Sequence, residues 1–218
     1  MSIKLKAFLN IGLFFMATSA ALATDLQVVV TNAKNGIAAD HAVITLQPLF
    51  KNTMKPSQQG GAVMRQEGSM FHPFVLAVST GTAVSFPNFD NFRHHVYSFS
   101  KTKKLELRLY GKDETHEIVF DKAGIVALGC NIHDNMLAYI HVSDAPYSRI
   151  AGQDGAGTFA GLAVGKYALT VWHPDQKSRT KAHTEEIMVT DGMGAVNVSL
   201  KMRSRRRLQA SPGDNEYD

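Results

Sequence analysis

Short apolar runs recur along most of the chain, and stretches rich in Gly, Pro, Asn or Asp separate them. Within many runs, apolar and polar positions alternate, which is the pattern of a β-strand with one buried face. The runs that predict strands are residues 26–31, 42–46, 63–66, 74–78, 83–86, 95–99, 104–109, 116–120, 125–128, 137–142, 158–162, 167–172, 185–189 and 195–201. Their spacing of about 8 to 12 residues is typical of a β-sandwich or barrel. No long stretch has the period of an amphipathic helix, so we expect helices to be few and short.

The same pattern divides the chain into β-rich parts. A polar stretch with Pro56 and two adjacent glycines predicts a linker, and the runs change character after an Asp-Ala-Pro sequence at 144–146. The predicted division is a linker at 51–61, a larger sandwich at 62–143, a second and smaller sandwich at 144–202 and a disordered tail at 203–218. Four strands make a thin sandwich, so the N-terminal strands at 24–50 are candidates to complete the second one.

Composition and charge narrow the class of protein. Hydrophobic residues make up 44% and charged residues 19% of the 218 residues, which is the composition of a globular protein. The formal net charge of +4 is weak, and no basic stripe with interleaved aromatic residues accompanies it, so we expect no nucleic-acid binding. The single cysteine excludes an internal disulfide, every CxxC zinc or redox motif and a binuclear copper centre with two thiolates.

The N-terminus has the features of a secretory signal. Lys4 and Lys6 precede an apolar stretch from 7 to 22, and small residues at Ala21 and Ala23 form a cleavage box. We therefore expect a signal peptide at 1–23 and a periplasmic mature protein. No second segment has the length of a membrane-spanning helix, so we expect no membrane span.

One short segment carries ligand chemistry. Cys130, His133 and Met136 form the sequence C-x2-H-x2-M between two predicted strands. A thiolate, an imidazole and a thioether together prefer copper over magnesium, calcium or manganese. A blue copper site needs a second imidazole, which must come from a distant strand, and His94 and His95 are the candidates. Adjacent strand residues point to opposite faces, so only one of these two histidines should bind the same metal.

These residues resemble the cupredoxin family of plastocyanin-like and amicyanin-like proteins. The matching motifs are Asn88-x-Asp90-x3-His94, Gly124-x5-Cys130-x2-His133-x2-Met136, Phe71-x-Pro73 and Gly81-x2-Val84-x-Phe86. The resemblance covers about 62–143, and it implies an all-β fold with a Greek-key cupredoxin β-sandwich. The whole chain also resembles periplasmic plastocyanin-like proteins of the methylamine-utilisation type, in which a Trp-His-Pro triplet such as 172–174 follows the copper motif. For the second sandwich, the resemblance is to carboxypeptidase-regulatory or prealbumin-like domains.

The resemblance implies one copper ion per chain, cycling between Cu(I) and Cu(II). Its metal ligands would be His94, Cys130, His133 and Met136, with no catalytic residues. The chain departs from the family at His95, where an Asn is common, and at Ile132 and Asp134, where amicyanins have prolines. We expect these changes to alter the reduction potential more than the binding itself. His95 remains the alternative for the upstream ligand.

The expected function is single-electron transfer between larger redox proteins, with a c-type cytochrome or a periplasmic dehydrogenase as a transient partner. Two alternatives remain open: a periplasmic copper chaperone or store that uses the same ligands, and a cell-envelope interaction module with a secondary copper site. We do not expect an enzyme, because four protein ligands would leave no position for a substrate. Trp172, in an apolar run, is expected to belong to the core of the second sandwich.

Overall fold

The computed structural model describes residues 23–51, 62–178 and 181–203, and these residues form β-strands and no helix. The strands are β1 (Ala23–Asn32), β2 (Val43–Pro48), β3 (Ala62–Val63), β4 (Arg65–Glu67), β5 (Met70–His72), β6 (Val75–Ser79), β7 (Thr82–Pro87), β8 (His94–Phe99), β9 (Lys104–Tyr110), β10 (Thr115–Phe120), β11 (Gly124–Cys130), β12 (Leu137–Ser143), β13 (Tyr147–Ile150), β14 (Ala156–Ala163), β15 (Gly165–Trp172), β16 (His183–Val189) and β17 (Val196–Leu200). The predicted all-β class is confirmed. No helix in the described ranges has the length and apolarity needed to cross a bilayer.

The first sandwich is formed by strands from the middle of the chain. A five-stranded sheet in the order β6-β12-β11-β8-β9 faces a three-stranded sheet in the order β10-β7-β3, and the β4-β5 hairpin adjoins them. Alternate residues of β7, β8 and β11 are buried, because successive side chains of a strand point to opposite faces. Their inward side chains form an apolar core that includes Phe86, Val96, Leu128 and Cys130.

The second sandwich combines the two ends of the described chain. Its sheets have the orders β14-β1-β17 and β13-β2-β15-β16. Strand β1 lies between β14, with which it pairs antiparallel, and β17, with which it pairs parallel. The N-terminal strands therefore pair with strands from the C-terminal part. The core between the sheets includes Leu26, Ile44, Phe159, Leu169 and Val198.

A third apolar cluster joins the two sandwiches. Its buried members are Val43 and Trp172 from the second sandwich and Val75 and Tyr139 from the first. The Trp172 ring is fully buried and its centroid lies 5.4 Å from that of Tyr139. The expectation that Trp172 belongs to the core of the second sandwich was therefore wrong. Trp172 is the last residue of β15, and its ring faces the outer surface of the five-stranded sheet of the first sandwich.

Two strands were not predicted, and both are short. β5 has three residues and β13 has four, and β13 has only half-buried and exposed side chains. Such segments give too few positions for an alternation of apolar and polar residues to be recognised. Apart from Ala23, Lys51 and Arg203, the predicted signal peptide, linker and tail lie outside the described residues. The predicted domain boundaries stay predictions.

Candidate metal centre

The upstream candidate histidine is presented by the first residue of β8. His94 is fully buried, and its Nδ1 lies 3.8 Å from the Sγ of Cys130, at the end of the adjacent strand β11. Cys130 pairs with Val96 in the register between these strands, so the backbone ladder fixes the distance between the two segments. His94 thus reaches the inner side of the sheet because it is two residues before Val96, which belongs to the core.

His95 points the other way. Its Nε2 lies 3.3 Å from an Oε1 of the Glu106 carboxylate, and its ring packs 6.1 Å from that of Tyr97 on the outer face. The structure places His94, and not His95, beside Cys130. The alternation of β8 is the physical reason for this difference.

The loop between β11 and β12 supplies the second imidazole. The Nδ1 of His133 also lies 3.8 Å from the Sγ of Cys130, and the rings of His94 and His133 are 5.1 Å apart. One ligand atom each from His94, Cys130 and His133 lies within 4.8 Å of the others. Among the His, Cys, Asp and Glu side chains of the described residues, this is the group whose ligand atoms lie close enough together to hold a metal ion.

Met136 ends the same loop. Its side chain is buried in the apolar cluster that also contains Cys130, and its backbone N–H donates to the carbonyl of His133 at 3.1 Å. This turn brings the methionine back under the loop instead of letting it extend into solvent. All four predicted ligands therefore lie at one end of the first sandwich.

The triangle of His94, Cys130 and His133 has the dimensions that a first-row metal ion requires. Bonds of about 2.0 Å to nitrogen and 2.3 Å to sulfur, at about 120° to each other, separate the two donors by roughly 3.7 Å. The two S···N distances of 3.8 Å match this separation. The donor set of two imidazoles and one thiolate, with a thioether nearby, is the set that copper prefers. The residues present thus fit a copper ion.

The electrostatics of the three groups favour a thiolate. Burial raises the pKa of Cys130, but hydrogen bonds from His94, from the backbone amides of His95 and Ile132 and from His133 outweigh it and lower the pKa to about 6. For His94, burial lowers the pKa, whereas the contacts with Cys130 and Asp90 raise it, and the net direction is upward. A cysteine that is ionised at neutral pH is a ready metal ligand.

Two features of the site were not recognised from the sequence. The Nε2 of His94 donates to the Oδ2 of Asp90 at 2.8 Å, whereas in the sequence Asp90 stands out only as part of the motif that resembles cupredoxins. The Phe92 ring packs 5.1 Å from His94 and 5.4 Å from His133, and its side chain is 46% exposed. The spacing of Asp90 four residues before His94 was the one available signal. For Phe92 no sequence signal was available.

Comparisons with known proteins give similarities to solved structures only. No protein-family model matches the chain, and no curated protein matches it. The chain is similar to a copper-containing nitrite reductase from Thermus scotoductus SA-01, with 27% identity and a TM-score of 0.37 over 44% of this chain and 25% of that one. It spans about a quarter of the length of that enzyme.

Two small proteins are matched over nearly their whole length. A purple cupredoxin from Nitrosopumilus maritimus is 20% identical, with a TM-score of 0.34 over 38% of this chain and 99% of that one. A reduced amicyanin variant is 19% identical, with a TM-score of 0.36 over 48% of this chain and 100% of that one.

Proposed function

We propose that this chain is a mononuclear copper protein of the cupredoxin type that carries single electrons between larger redox proteins. The observation that carries the proposal is the triangle of His94 Nδ1, Cys130 Sγ and His133 Nδ1, with both S···N distances at 3.8 Å. In this proposal these three residues hold the ion, and Met136 supplies the fourth donor. When bound, copper would supply a one-electron couple between Cu(I) and Cu(II).

The chain's own residues explain why such a site would suit electron transfer. His94 and Cys130 belong to paired strands of one sheet, and the His133 backbone is tied to Met136 by a hydrogen bond. Ligands held in this way change position little when the charge of a bound ion changes. Four protein donors also leave no position for a substrate, so we propose that the chain is not an enzyme.

A partner would approach at the end of the sandwich where His133 lies. His133 is half-buried, whereas Phe92 and Ile132 beside it are each 46% exposed. Exposed aromatic and aliphatic side chains around a half-buried imidazole form a small apolar contact area of the kind that transient redox partners use. We propose a c-type cytochrome or a periplasmic dehydrogenase as this partner, in keeping with the sequence resemblance to methylamine-utilisation proteins.

The proposal is tested by titrating the purified protein with Cu(II) and recording its visible absorption, beside a Cys130→Ser variant. We expect an intense charge-transfer band that ascorbate bleaches, that oxidation restores and that the variant lacks. A protein that binds Cu(I) tightly without such a band would instead support the copper chaperone or store. Absence of specific copper binding would contradict both and leave the cell-envelope module.

A further inference from the structure

The carboxylate of Asp90 is bound on both of its oxygens. Its Oδ1 accepts a hydrogen bond from the backbone N–H of Gly68 at 2.7 Å, and its Oδ2 accepts one from that of Ser69 at 3.1 Å. The same Oδ2 lies 2.8 Å from the Nε2 of His94. The Asp90 side chain is only 11% exposed, and that of His94 is fully buried. Three donors from two distant segments therefore converge on one carboxylate.

The two backbone donors come from the turn of the β4-β5 hairpin. Arg65 pairs with His72 and Glu67 with Met70, which leaves Gly68 and Ser69 as a two-residue turn. Both turn residues have positive φ, +62° and +54°, as a type I′ turn requires. Consecutive N–H groups in such a backbone point to the same side and form a small concave site for an anion. Here the Asp90 carboxylate occupies it.

Further hydrogen bonds fix the backbone that carries Asp90. The amide of Asn88 donates to the carbonyls of Phe92 at 2.8 Å and Tyr110 at 3.1 Å, and its Oδ1 accepts from the N–H of Asp90 at 2.9 Å. The N–H of Phe89 donates to the carbonyl of Gln66 in β4 at 2.8 Å. The loop between β7 and β8 is thus held to the hairpin by both backbone and side-chain bonds.

These contacts determine which nitrogen of His94 faces the cysteine. A carboxylate accepts hydrogen bonds and does not donate them, so the Nε2 of His94 must carry the proton that Asp90 binds. The Nδ1 is then the atom directed at Cys130. Partners of this kind orient a ligating imidazole and raise its basicity.

We propose that Asp90, held by the turn amides of the β4-β5 hairpin, is a positioning residue that fixes the ring orientation of His94 for metal binding. This inference rests on the proposed function, because it assigns His94 to the metal. It adds a role for a hairpin that lies more than twenty residues before His94 in the sequence and contributes no ligand. The competing explanation is that the hairpin only covers the core, since Met64 just before it and Phe71 within it are buried there.

The first test needs no copper. In a nitrogen-15 NMR spectrum of the histidine rings of the copper-free protein, we expect a downfield, slowly exchanging Nε2 proton for His94. Asp90→Ala should abolish this signal, whereas Asp113→Ala, in an exposed loop before β10, should leave it unchanged. A wild-type spectrum without a protected Nε2 proton would overturn the proposal, whether or not the protein binds copper.

The second test uses the copper-loaded protein. We expect Asp90→Ala to weaken copper binding by about 10- to 100-fold and to change the electron paramagnetic resonance spectrum of the Cu(II) site. Asp90→Asn keeps an oxygen that can accept from Nε2, so it should recover much of the affinity. Asp113→Ala, the control in the exposed loop before β10, should bind copper as wild type does.

The outcomes separate this inference from the proposed function. If wild-type protein lacks the charge-transfer band, the proposed function fails. The NMR spectrum of the copper-free protein still tests whether Asp90 holds the Nε2 proton of His94. If Asp90→Ala binds copper with unchanged affinity and an unchanged paramagnetic spectrum, Asp90 does not position His94. Should Asp90→Ala fail to fold, by circular dichroism, the nearly isosteric Asp90→Asn replaces it in the copper-free spectrum. A neutral amide oxygen is a weaker acceptor than a carboxylate, so an upfield shift of the His94 Nε2 proton supports the role, and an unchanged shift contradicts it.

Discussion

At the scale of single residues, the lone cysteine is the most strongly perturbed group of the candidate site. Its thiol is only 4% exposed, yet its pKa lies near 6, below the ordinary value of 9.0. Burial alone would have the opposite effect, because a charge is disfavoured in an apolar surrounding. The hydrogen bonds that His94, His133 and two backbone amides make to the sulfur therefore determine the sign.

The pKa of Cys130 gives a prediction for the copper-free protein. A thiolate absorbs more strongly in the ultraviolet than a thiol, so a pH titration of that absorbance should give a midpoint near 6. His94→Leu removes the side-chain hydrogen bond from His94 to the Cys130 sulfur. The midpoint should then move upward, toward the ordinary cysteine pKa of 9.0. The matched control is His183→Leu, because the His183 side chain is 42% exposed and lies in the other sandwich. A wild-type midpoint near 9 would contradict the structure of the site.

At this scale the sequence predicted much of the site, for a physical reason. Cys130, His133 and Met136 are close in sequence, so their spacing alone brings them to one loop. The choice between His94 and His95 could not be made from spacing, because it depends on which face of β8 meets the core. The hydrogen bonds from the backbone N–H groups of Gly68 and Ser69 to Asp90 also could not be predicted from the sequence. They require positive φ at a serine and a contact between residues 21 or 22 positions apart.

At the scale of elements, the strands that were predicted are those with several alternating positions. β7 and β8 each bury every second residue, and both lie where the apolar runs place them. The pairing of strands could not be predicted in the same way, since β1 pairs with β14 and β17, which lie more than a hundred residues away in the sequence. Periodicity determines the face that a strand buries, but it does not determine its neighbours.

The turn before β14 gives a prediction about strand β1. Gly155 has a φ of +74°, and a Cβ there would lie 2.4 Å from the carbonyl oxygen of Val30 in β1. Gly161 has a φ of +66° but no atom within 4 Å of its would-be Cβ. Gly161→Ala should therefore cost about 1 kcal/mol, from backbone strain alone. Gly155→Ala should cost at least about 2 kcal/mol more than that, because the Val30 backbone must move.

Urea unfolding of the two glycine variants measures this difference. The pair is matched in residue change and in backbone conformation, so subtraction of the two free energies of unfolding leaves the steric contribution at Val30. Equal destabilisation by both variants would show that Gly155 is not packed against β1, and the register between β1 and β14 would then be wrong.

At the scale of the whole molecule, the two sandwiches share the apolar cluster around Trp172. The ring of Trp172 lies 5.4 Å from Tyr139 and 5.8 Å from His141, both on the outer face of the five-stranded sheet. Burial holds the pKa of His141 at about 4, so this histidine is neutral at neutral pH and adds no charge to the contact. An aromatic contact of this size should make the two sandwiches unfold together.

The single tryptophan makes this coupling measurable, since Trp172 is the only one in the sequence. In wild-type protein with the proposed copper site loaded, urea unfolding followed by tryptophan emission and by the expected charge-transfer band should give coincident transitions. Tyr139→Ala removes the ring against Trp172 and should cost about 3 to 5 kcal/mol. It should also shift the emission of the folded protein to the red and separate the two transitions, because the cluster that joins the sandwiches is lost.

Phe99→Ala is the matched control, since Phe99 lies on the same sheet but is 81% exposed, and it should leave both transitions coincident. If the transitions of Tyr139→Ala also remain coincident, the coupling does not run through Trp172, and the contacts around Val43 and Val75 become the next candidates.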